Sequence, residues 1–136
     1  MTDEAIREQI FAGIFSAEIV TPYKKLNTNE QFRLANLLRR QLQAGGQKIF
    51  FTEAIDLLLP WTKCYFMTRE KKFVLCLPYD KNELNLARWT CLRHFFFEVT
   101  AKVELFWQRH ISIIGFAPSM RIGNILLYKE AKPNEQ

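Results

Sequence analysis

The chain has 136 residues, of which 49% are hydrophobic and 24% charged, and its formal net charge is +5. This length and composition exclude a disordered polymer and predict a single α+β domain over residues 1–136. No apolar run is as long as a membrane-spanning helix, which needs about 20 residues. Three cysteines without a CxxC pair, and an N-terminus of the wrong charge for a signal or transit peptide, favour a soluble intracellular protein, cytoplasmic or nuclear.

The first predicted element is a helix from Asp3 to about Ile19. Thr2 is its predicted N-cap, and the acidic residues Asp3 and Glu4 suit the positive end of the helix dipole. Apolar residues follow two sides of this helix, which indicates a helix wedged between other elements or one that meets a partner. Pro22 is expected to end it.

The second predicted helix begins at Thr28. Thr28 and Gln31 have capping-box spacing, in which two side chains satisfy free backbone N–H groups reciprocally. Gly45-Gly46 provides a left-handed stop. Three leucines at helical spacing are predicted to face inward: Leu34, Leu38 and Leu42.

A short strand, a short helix and a hairpin are predicted next. Gln47–Phe51 is the strand, and the helix runs from Thr52 through Leu59 to a stop at Pro60 and Trp61. Cys64–Met67 and Phe73–Leu77 flank a charged tip, the pattern of a β-hairpin. Both arms are apolar at consecutive positions, which indicates that both faces of the sheet are covered.

The segment Phe97–Ile113 alternates apolar and polar residues, with Phe106 and Arg109 out of step. A period of two predicts a long strand with one buried face, preceded by a helix that ends near Phe96. A single helix continuing to about residue 108 is the alternative, because no Gly or Pro forbids it. Ile122–Lys129 is the predicted last strand.

Together these elements predict an α+β fold with two N-terminal helices, a curved mixed or antiparallel sheet of about five strands, and one further packing helix. The order strand, helix, strand, strand, helix, strand over residues 47–109 is also that of a ferredoxin-like core. Both architectures stay open at this point.

The outer face of the second helix is a candidate nucleic-acid-binding surface. Residues 33–52 contain four basic side chains and no acid. Planar guanidinium and amide groups suit bases and phosphates, although a solvated helix face has the same composition. The candidate residues are Arg33, Asn36, Arg39, Arg40 and Gln43. A second basic site would combine the hairpin tip with two later residues, namely Arg69, Lys71, Lys72, Arg121 and Lys129.

The polar side of the long strand is a candidate protein interface. If helices cover only one side of the sheet, this side stays open, and Phe106 would be an aromatic anchor among polar groups. Alternatively, Phe106 lies under a neighbouring loop. The candidate interface residues are Thr100, Lys102, Glu104, Phe106 and Gln108.

Catalytic patterns are weak throughout the sequence. Cys91 and His94 are three residues apart on a predicted helix, but no third group orients them. His110 has no neighbour at metal-ligand spacing. We therefore expect no metal, no cofactor and no enzyme, and we interpret the chain as a protein-interaction module that binds another protein or a multi-subunit complex. DNA or RNA binding is the alternative, and a ligand binder or enzyme with a pocket lined by Cys91, His94 or Tyr128 is the third.

Overall fold

The computed structural model describes residues 2–108 and the backbone of residues 125–130. The helices are α1 (Asp3–Phe11), α2 (Val20–Lys25), α3 (Thr28–Gln43), α4 (Phe51–Leu58) and α5 (Glu83–Phe96). The strands are β1 (Lys63–Met67), β2 (Lys72–Cys76), β3 (Lys102–Phe106) and β4 (Ile125–Glu130). None of the helices in the described ranges is long and apolar enough to cross a membrane.

The chain is α+β, but the predicted arrangement of two N-terminal helices and about five curved strands is wrong. Four α-helices precede the first strand, and the described residues contribute four strands to one sheet, in the order β3-β2-β1-β4. β1 pairs antiparallel with β2 and with β4, while β2 pairs parallel with β3. Because a parallel pair needs a long crossover, α5 connects β2 to β3.

The ferredoxin-like alternative is also wrong. It requires a strand over residues 47–51, but residues 47–50 form neither helix nor strand, and Phe51 starts α4. The ring of Phe51 packs against Phe73 of β2 and against Phe97, with centroid distances of 5.3 Å for both pairs. The aromatic pair Phe50-Phe51 therefore contributes to the packing between helix and sheet rather than to a strand.

The predicted first helix ends early. α1 stops at Phe11, and Gly13 then takes a φ of 78°, a conformation that glycine adopts without the steric cost of a side chain. A 3-10 turn over Ala17–Ile19 leads into α2. Pro22 lies in the first turn of α2 instead of ending a helix, since the N–H groups of that turn have no partner within the helix.

α3 begins at Thr28 as predicted, but its capping box is shifted by one residue from the predicted Thr28–Gln31 pair. Asn27, not Thr28, is the N-cap, and it forms a capping box with Glu30. The predicted stop is confirmed, because α3 ends at Gln43 and both following glycines, Gly45-Gly46, have positive φ. Leu34 and Leu38 are buried as predicted, whereas Leu42 is 45% exposed.

The predicted long strand is much shorter within the described residues. α5 ends at Phe96 as predicted, and no helix continues through residues 97–107, but residues 97–101 form a turn and β3 covers only Lys102–Phe106. Residues 109–113 lie outside the described residues. The predicted last strand is confirmed over Ile125–Lys129 and continues to Glu130.

The core lies between the helices and one face of the sheet. Alternation within β3 is as predicted, with Val103 and Leu105 against the core and Lys102 and Glu104 exposed. On β2, consecutive residues point to opposite faces, yet Val74 and Leu75 are both buried. The prediction that both faces are covered is therefore confirmed at the centre of β2.

Candidate interaction groove at the end of α5

A groove of about 550 Å³ lies beside the C-terminal half of α5. Its apolar lining comes from Ile19, Trp89, Phe97 and Val99. The indole of Trp89 meets the ring of Phe97 edge to face at a centroid distance of 5.6 Å. Because Trp89 belongs to α5 and Phe97 follows it directly, the last turns of this helix shape the floor. We call this feature the α5 groove.

Side chains from α3 and from the loop that follows it bond to the last turn of α5 beside the α5 groove. The carbonyl oxygen of Phe95 accepts hydrogen bonds from Lys48 Nζ at 3.0 Å and from Gln41 Nε2 at 2.9 Å. Carbonyl groups in the last turn of a helix have no partner within it, and a cation there also suits the negative end of the dipole. These bonds attach α3 and the loop after Gly45-Gly46 to α5.

Arg93 shapes the other end of the α5 groove. Its guanidinium donates to the carbonyl oxygens of Glu98 at 2.8 Å, Val99 at 3.3 Å and Ala101 at 2.9 Å. A planar guanidinium with five N–H donors can serve several acceptors at once. The turn is thereby fixed so that the Val99 side chain projects into solvent, 88% exposed.

The α5 groove carries charges of both signs. Lys48 and Arg93 are cationic, and Glu18 and Glu98 are anionic. None of these four side chains forms an ion pair with another residue of the part that the structure describes. The groove therefore carries two cations and two anions, and both cations donate hydrogen bonds to backbone carbonyls of the chain itself.

His94 lines the same groove. Although His94 lies on the exposed side of α5, partial desolvation of its imidazole is the main cause that lowers its pKa below 6.5, the nearby Lys48 lowers the pKa further, and Glu18 opposes the shift. The ring also meets Phe95 at a centroid distance of 4.9 Å. His94 is accordingly neutral at pH 7, and its protonation would add a cation to the groove.

The predicted nucleic-acid face on α3 makes several contacts inside the fold. Arg39 Nε donates to Asp3 Oδ1 at 2.7 Å, Asn36 Nδ2 donates to Asp3 Oδ2 at 3.2 Å, and Arg39 Nη1 donates to Gln43 Oε1 at 3.5 Å. The bond from Arg39 is the main cause that holds the pKa of Asp3 below its usual value. Much of this face is therefore used to join α3 to α1.

The remaining two candidates on α3 line a second groove, of about 650 Å³. Arg40 Nη2 lies 3.6 Å from Glu53 Oε2 of α4, and its guanidinium stacks over the ring of Phe50. Arg33 is exposed. The carboxylates of Asp3, Glu53 and Asp56 line this groove together with Arg33, Asn36 and Arg40. The structure brings the predicted basic residues together, but with acidic groups that repel a phosphate backbone.

The predicted protein interface does not form one row. Lys102 and Glu104 are exposed on one face of β3, and Glu104 pairs with Lys72 of β2. Thr100 lies in the turn before β3, and Gln108 lies beyond the strand, where its N–H donates to the Tyr79 carbonyl at 3.1 Å. Phe106 is half-buried, so it is not a fully exposed anchor.

The second predicted basic site is only partly within the described residues. Arg69 and Lys71 are in the tip of the hairpin, and Lys72 pairs with Glu104. Arg121 lies outside the described residues. Lys129 is opposite Cys64 in the β1–β4 pairing, so its backbone is about 10 Å along the strand from the tip of the hairpin.

Cys91 and His94, whose spacing is a weak catalytic pattern in the sequence, do not form a thiol–imidazole pair. Cys91 is fully buried in the core, while His94 is on the exposed side of α5. Burial raises the pKa of the Cys91 thiol to about 12, so the thiolate is disfavoured at neutral pH. Tyr128 lies in β4, and its side chain is outside the described residues. No group of three or more His, Cys, Asp or Glu side chains able to hold a metal occurs within the described ranges.

The α5 groove was not predicted from the sequence. Lys48 and Arg93 donate hydrogen bonds to backbone carbonyl oxygens. Every residue has a backbone carbonyl, so the sequence does not indicate which of them a side chain will reach. The signal that could have indicated the groove is the cluster Arg93-His94 at a predicted helix end, shortly before the apolar Val99. Comparisons of the chain with protein-family models, with curated proteins and with solved structures found no match.

Proposed function

We propose that this chain is a non-catalytic protein-interaction module and that the α5 groove is its docking surface. The supporting observation is the exposed Val99, which is held by Arg93 beside a groove in which part of the Trp89 ring is accessible. Exposing an aliphatic side chain in a rigid turn gains nothing for folding. Apolar surface rimmed by polar groups is instead typical of protein-binding sites.

The residue types of the groove support the same proposal. Trp and Arg dominate the binding energy of many interfaces, and here Trp89 and Arg93 line a single groove. A partner segment would place an apolar side chain against Trp89 and Val99, and polar groups near the charged rim.

Nucleic-acid binding has less support. The guanidinium of Arg39 is used by Asp3, and Arg40 lies near Glu53. A surface that binds a phosphate backbone needs cations that are free to replace counterions. The distribution of charge therefore favours a protein partner over DNA or RNA.

Quantitative affinity capture from a native lysate tests this function. The wild-type chain is compared with Val99→Asp, which puts a charge into the docking surface, and with the control Leu84→Asp, in which a 39% exposed leucine near the other end of α5 is replaced. We expect a stoichiometric partner with the wild-type chain and with Leu84→Asp, and about tenfold less with Val99→Asp.

Two results would contradict the proposal. One is an equal recovery of every captured protein by the wild-type and Val99→Asp chains. The other is capture that disappears after nuclease treatment, which would transfer support to the nucleic-acid alternative.

A further inference from the structure

The loop after α3, residues 44–50, contributes one wall of the α5 groove through Lys48. At one end of the loop, Gly45-Gly46 has positive φ at both residues, and a Cβ atom at either position would meet nothing within 4 Å. At the other end, the guanidinium of Arg40 lies over the ring of Phe50, 5.4 Å from its centroid. The loop therefore has a glycine pair with a wide choice of backbone angles at one end and an anchored residue at the other.

Lys48 holds the middle of this loop against α5. Its Nζ donates to the carbonyl oxygen of Phe95 at 3.0 Å, and within the described residues this is the one hydrogen bond that joins residues 47–49 to another element. The neighbouring Ile49 is 58% exposed, so its packing contributes little to the attachment. The position of the loop thus depends on one cation at the last turn of α5.

His94 is next to the carbonyl-bearing residue that Lys48 contacts. The imidazole meets the ring of Phe95 edge to face at a centroid distance of 4.9 Å, and it lines the α5 groove together with Lys48. A proton on the imidazole would therefore place a second cation near the first. Repulsion between them acts on the bond that attaches the loop.

Four charged groups line the α5 groove with His94. Lys48 comes from the loop, Glu18 from the 3-10 turn, Arg93 from α5 and Glu98 from the turn that follows it. The guanidinium of Arg93 is bonded to carbonyl oxygens of that turn. Both glutamates are exposed, so water and salt weaken their attraction for a protonated imidazole.

The pKa of His94 indicates which of these charges prevails. Desolvation and then Lys48 lower this pKa below 6.5, and Glu18, the smallest of the three causes, raises it. Coupling between two sites is reciprocal, so a cation that disfavours a proton is disfavoured by that proton to the same extent. Protonation of His94 therefore weakens the bond from Lys48 to Phe95.

We propose that His94 controls the attachment of the loop 44–50: in mild acid its protonation releases Lys48 from the end of α5, and this wall of the α5 groove becomes mobile. The inference rests on the proposed function, because it names a regulation of the same docking surface. The movement of the loop is nevertheless a property of the chain alone, and it is measured without a partner.

Nuclear magnetic resonance of the full chain measures this release. Backbone order parameters of residues 47–49 are recorded above and below the pKa of His94, which the shift of its ring proton gives in the same sample. We expect them to fall from about 0.85 to below about 0.6 on acidification, while those at the centre of α3 stay unchanged. In His94→Gln they should stay high throughout, and in Lys48→Met, which has no donor, they should be low throughout.

Two substitutions should move the pKa of His94 in opposite directions. Lys48→Met removes the neighbouring cation and should raise it, whereas Glu18→Gln removes an acid and should lower it, so that the loop is released at a lower pH. Arg69→Met in the exposed tip of the hairpin changes the net charge as Lys48→Met does. This control should leave the pKa of His94 unchanged. Thermal melting checks that each variant is folded.

Three results would overturn the inference: order parameters of residues 47–49 that stay constant while His94 titrates, an equal decrease in His94→Gln, or an unchanged pKa of His94 in Lys48→Met. None of them affects the docking surface, which is tested by capture with Val99→Asp. Conversely, capture that Val99→Asp leaves unchanged would contradict the proposed function, while the release of the loop would still be observed.

Discussion

Asp3 and Arg39 join the first residue of α1 to the last turns of α3, with Arg39 Nε 2.7 Å from Asp3 Oδ1. Both side chains keep part of their surface in water, which limits the energy of the pair. The contact nevertheless holds one basic side chain of α3 against α1. Arg39, a predicted nucleic-acid-binding residue, thus joins two helices of the fold.

Replacing Asp3 with Asn should lower the free energy of unfolding at pH 7 by about 1 kcal/mol, as expected for a partly exposed ion pair. Because the pKa of Asp3 is lowered in the folded state, its contribution is present above the unfolded pKa and disappears as pH falls through the folded pKa. Urea unfolding at pH 7 and pH 3 measures both effects. Glu4→Gln, an exposed acid in the same turn, is the control. An equal loss of unfolding free energy in both variants would show that the Asp3–Arg39 pair does not stabilise the fold.

Replacing Arg93 with Lys should lower the free energy of unfolding by about 2 kcal/mol, because a single ammonium cannot serve the three carbonyl groups that the guanidinium now serves. Hydrogen exchange of the amides in residues 98–101 should accelerate in the same variant. The adjacent His94→Gln serves as control. Unchanged exchange in Arg93→Lys would show that the turn is held by other contacts.

The imidazole of His94 should make the fold less stable in acid. Its pKa is lowered below 6.5 by burial and by Lys48, so the unfolded chain takes up the proton first as pH falls. The free energy of unfolding therefore decreases from about pH 7 downwards until the folded pKa is passed. In His94→Gln this part of the pH dependence should be missing. Parallel pH curves for the wild-type and variant chains would contradict the prediction.

The buried cysteines should be slow to react in the native protein. Burial raises the pKa of the Cys64 and Cys91 thiols to about 12, and the thiolate is the reactive form. Labelling with a thiol reagent at pH 8 should be slow until denaturant is added. The same shifts stabilise the fold below pH 9, and this contribution is lost as pH rises above that value. Fast native labelling of Cys91 would refute this description of its environment.

The sequence predicted what depends on local patterns. The hairpin, the end of α3 at Gly45-Gly46, the end of α5 at Phe96 and the alternation within β3 all follow from periodicity or from turn residues. The prediction of Thr2 as the N-cap of α1 is also confirmed, since its side chain accepts a hydrogen bond from the N–H of Ala5. In each of these places, the residues that decide the structure are close together in the chain.

The errors have tertiary causes. Nothing between Phe97 and Ala101 marks a turn, because Arg93 stabilises it from the preceding helix. Phe50-Phe51 has the composition of a strand, but the ring of Phe51 packs against Phe73 and Phe97. The α5 groove was the feature least predictable from the sequence, because its shape depends on which backbone carbonyl groups Lys48 and Arg93 bond to in the folded chain.

Photocrosslinking in the cells that express the chain tests the docking surface most directly. A photoreactive phenylalanine derivative is placed either at Val99 or at Leu84, both of which are exposed. The proposed function predicts discrete protein adducts from position 99, whether with a second copy or with another protein, and none of comparable yield from position 84. No adduct from position 99, or equal adducts from both positions, would contradict it.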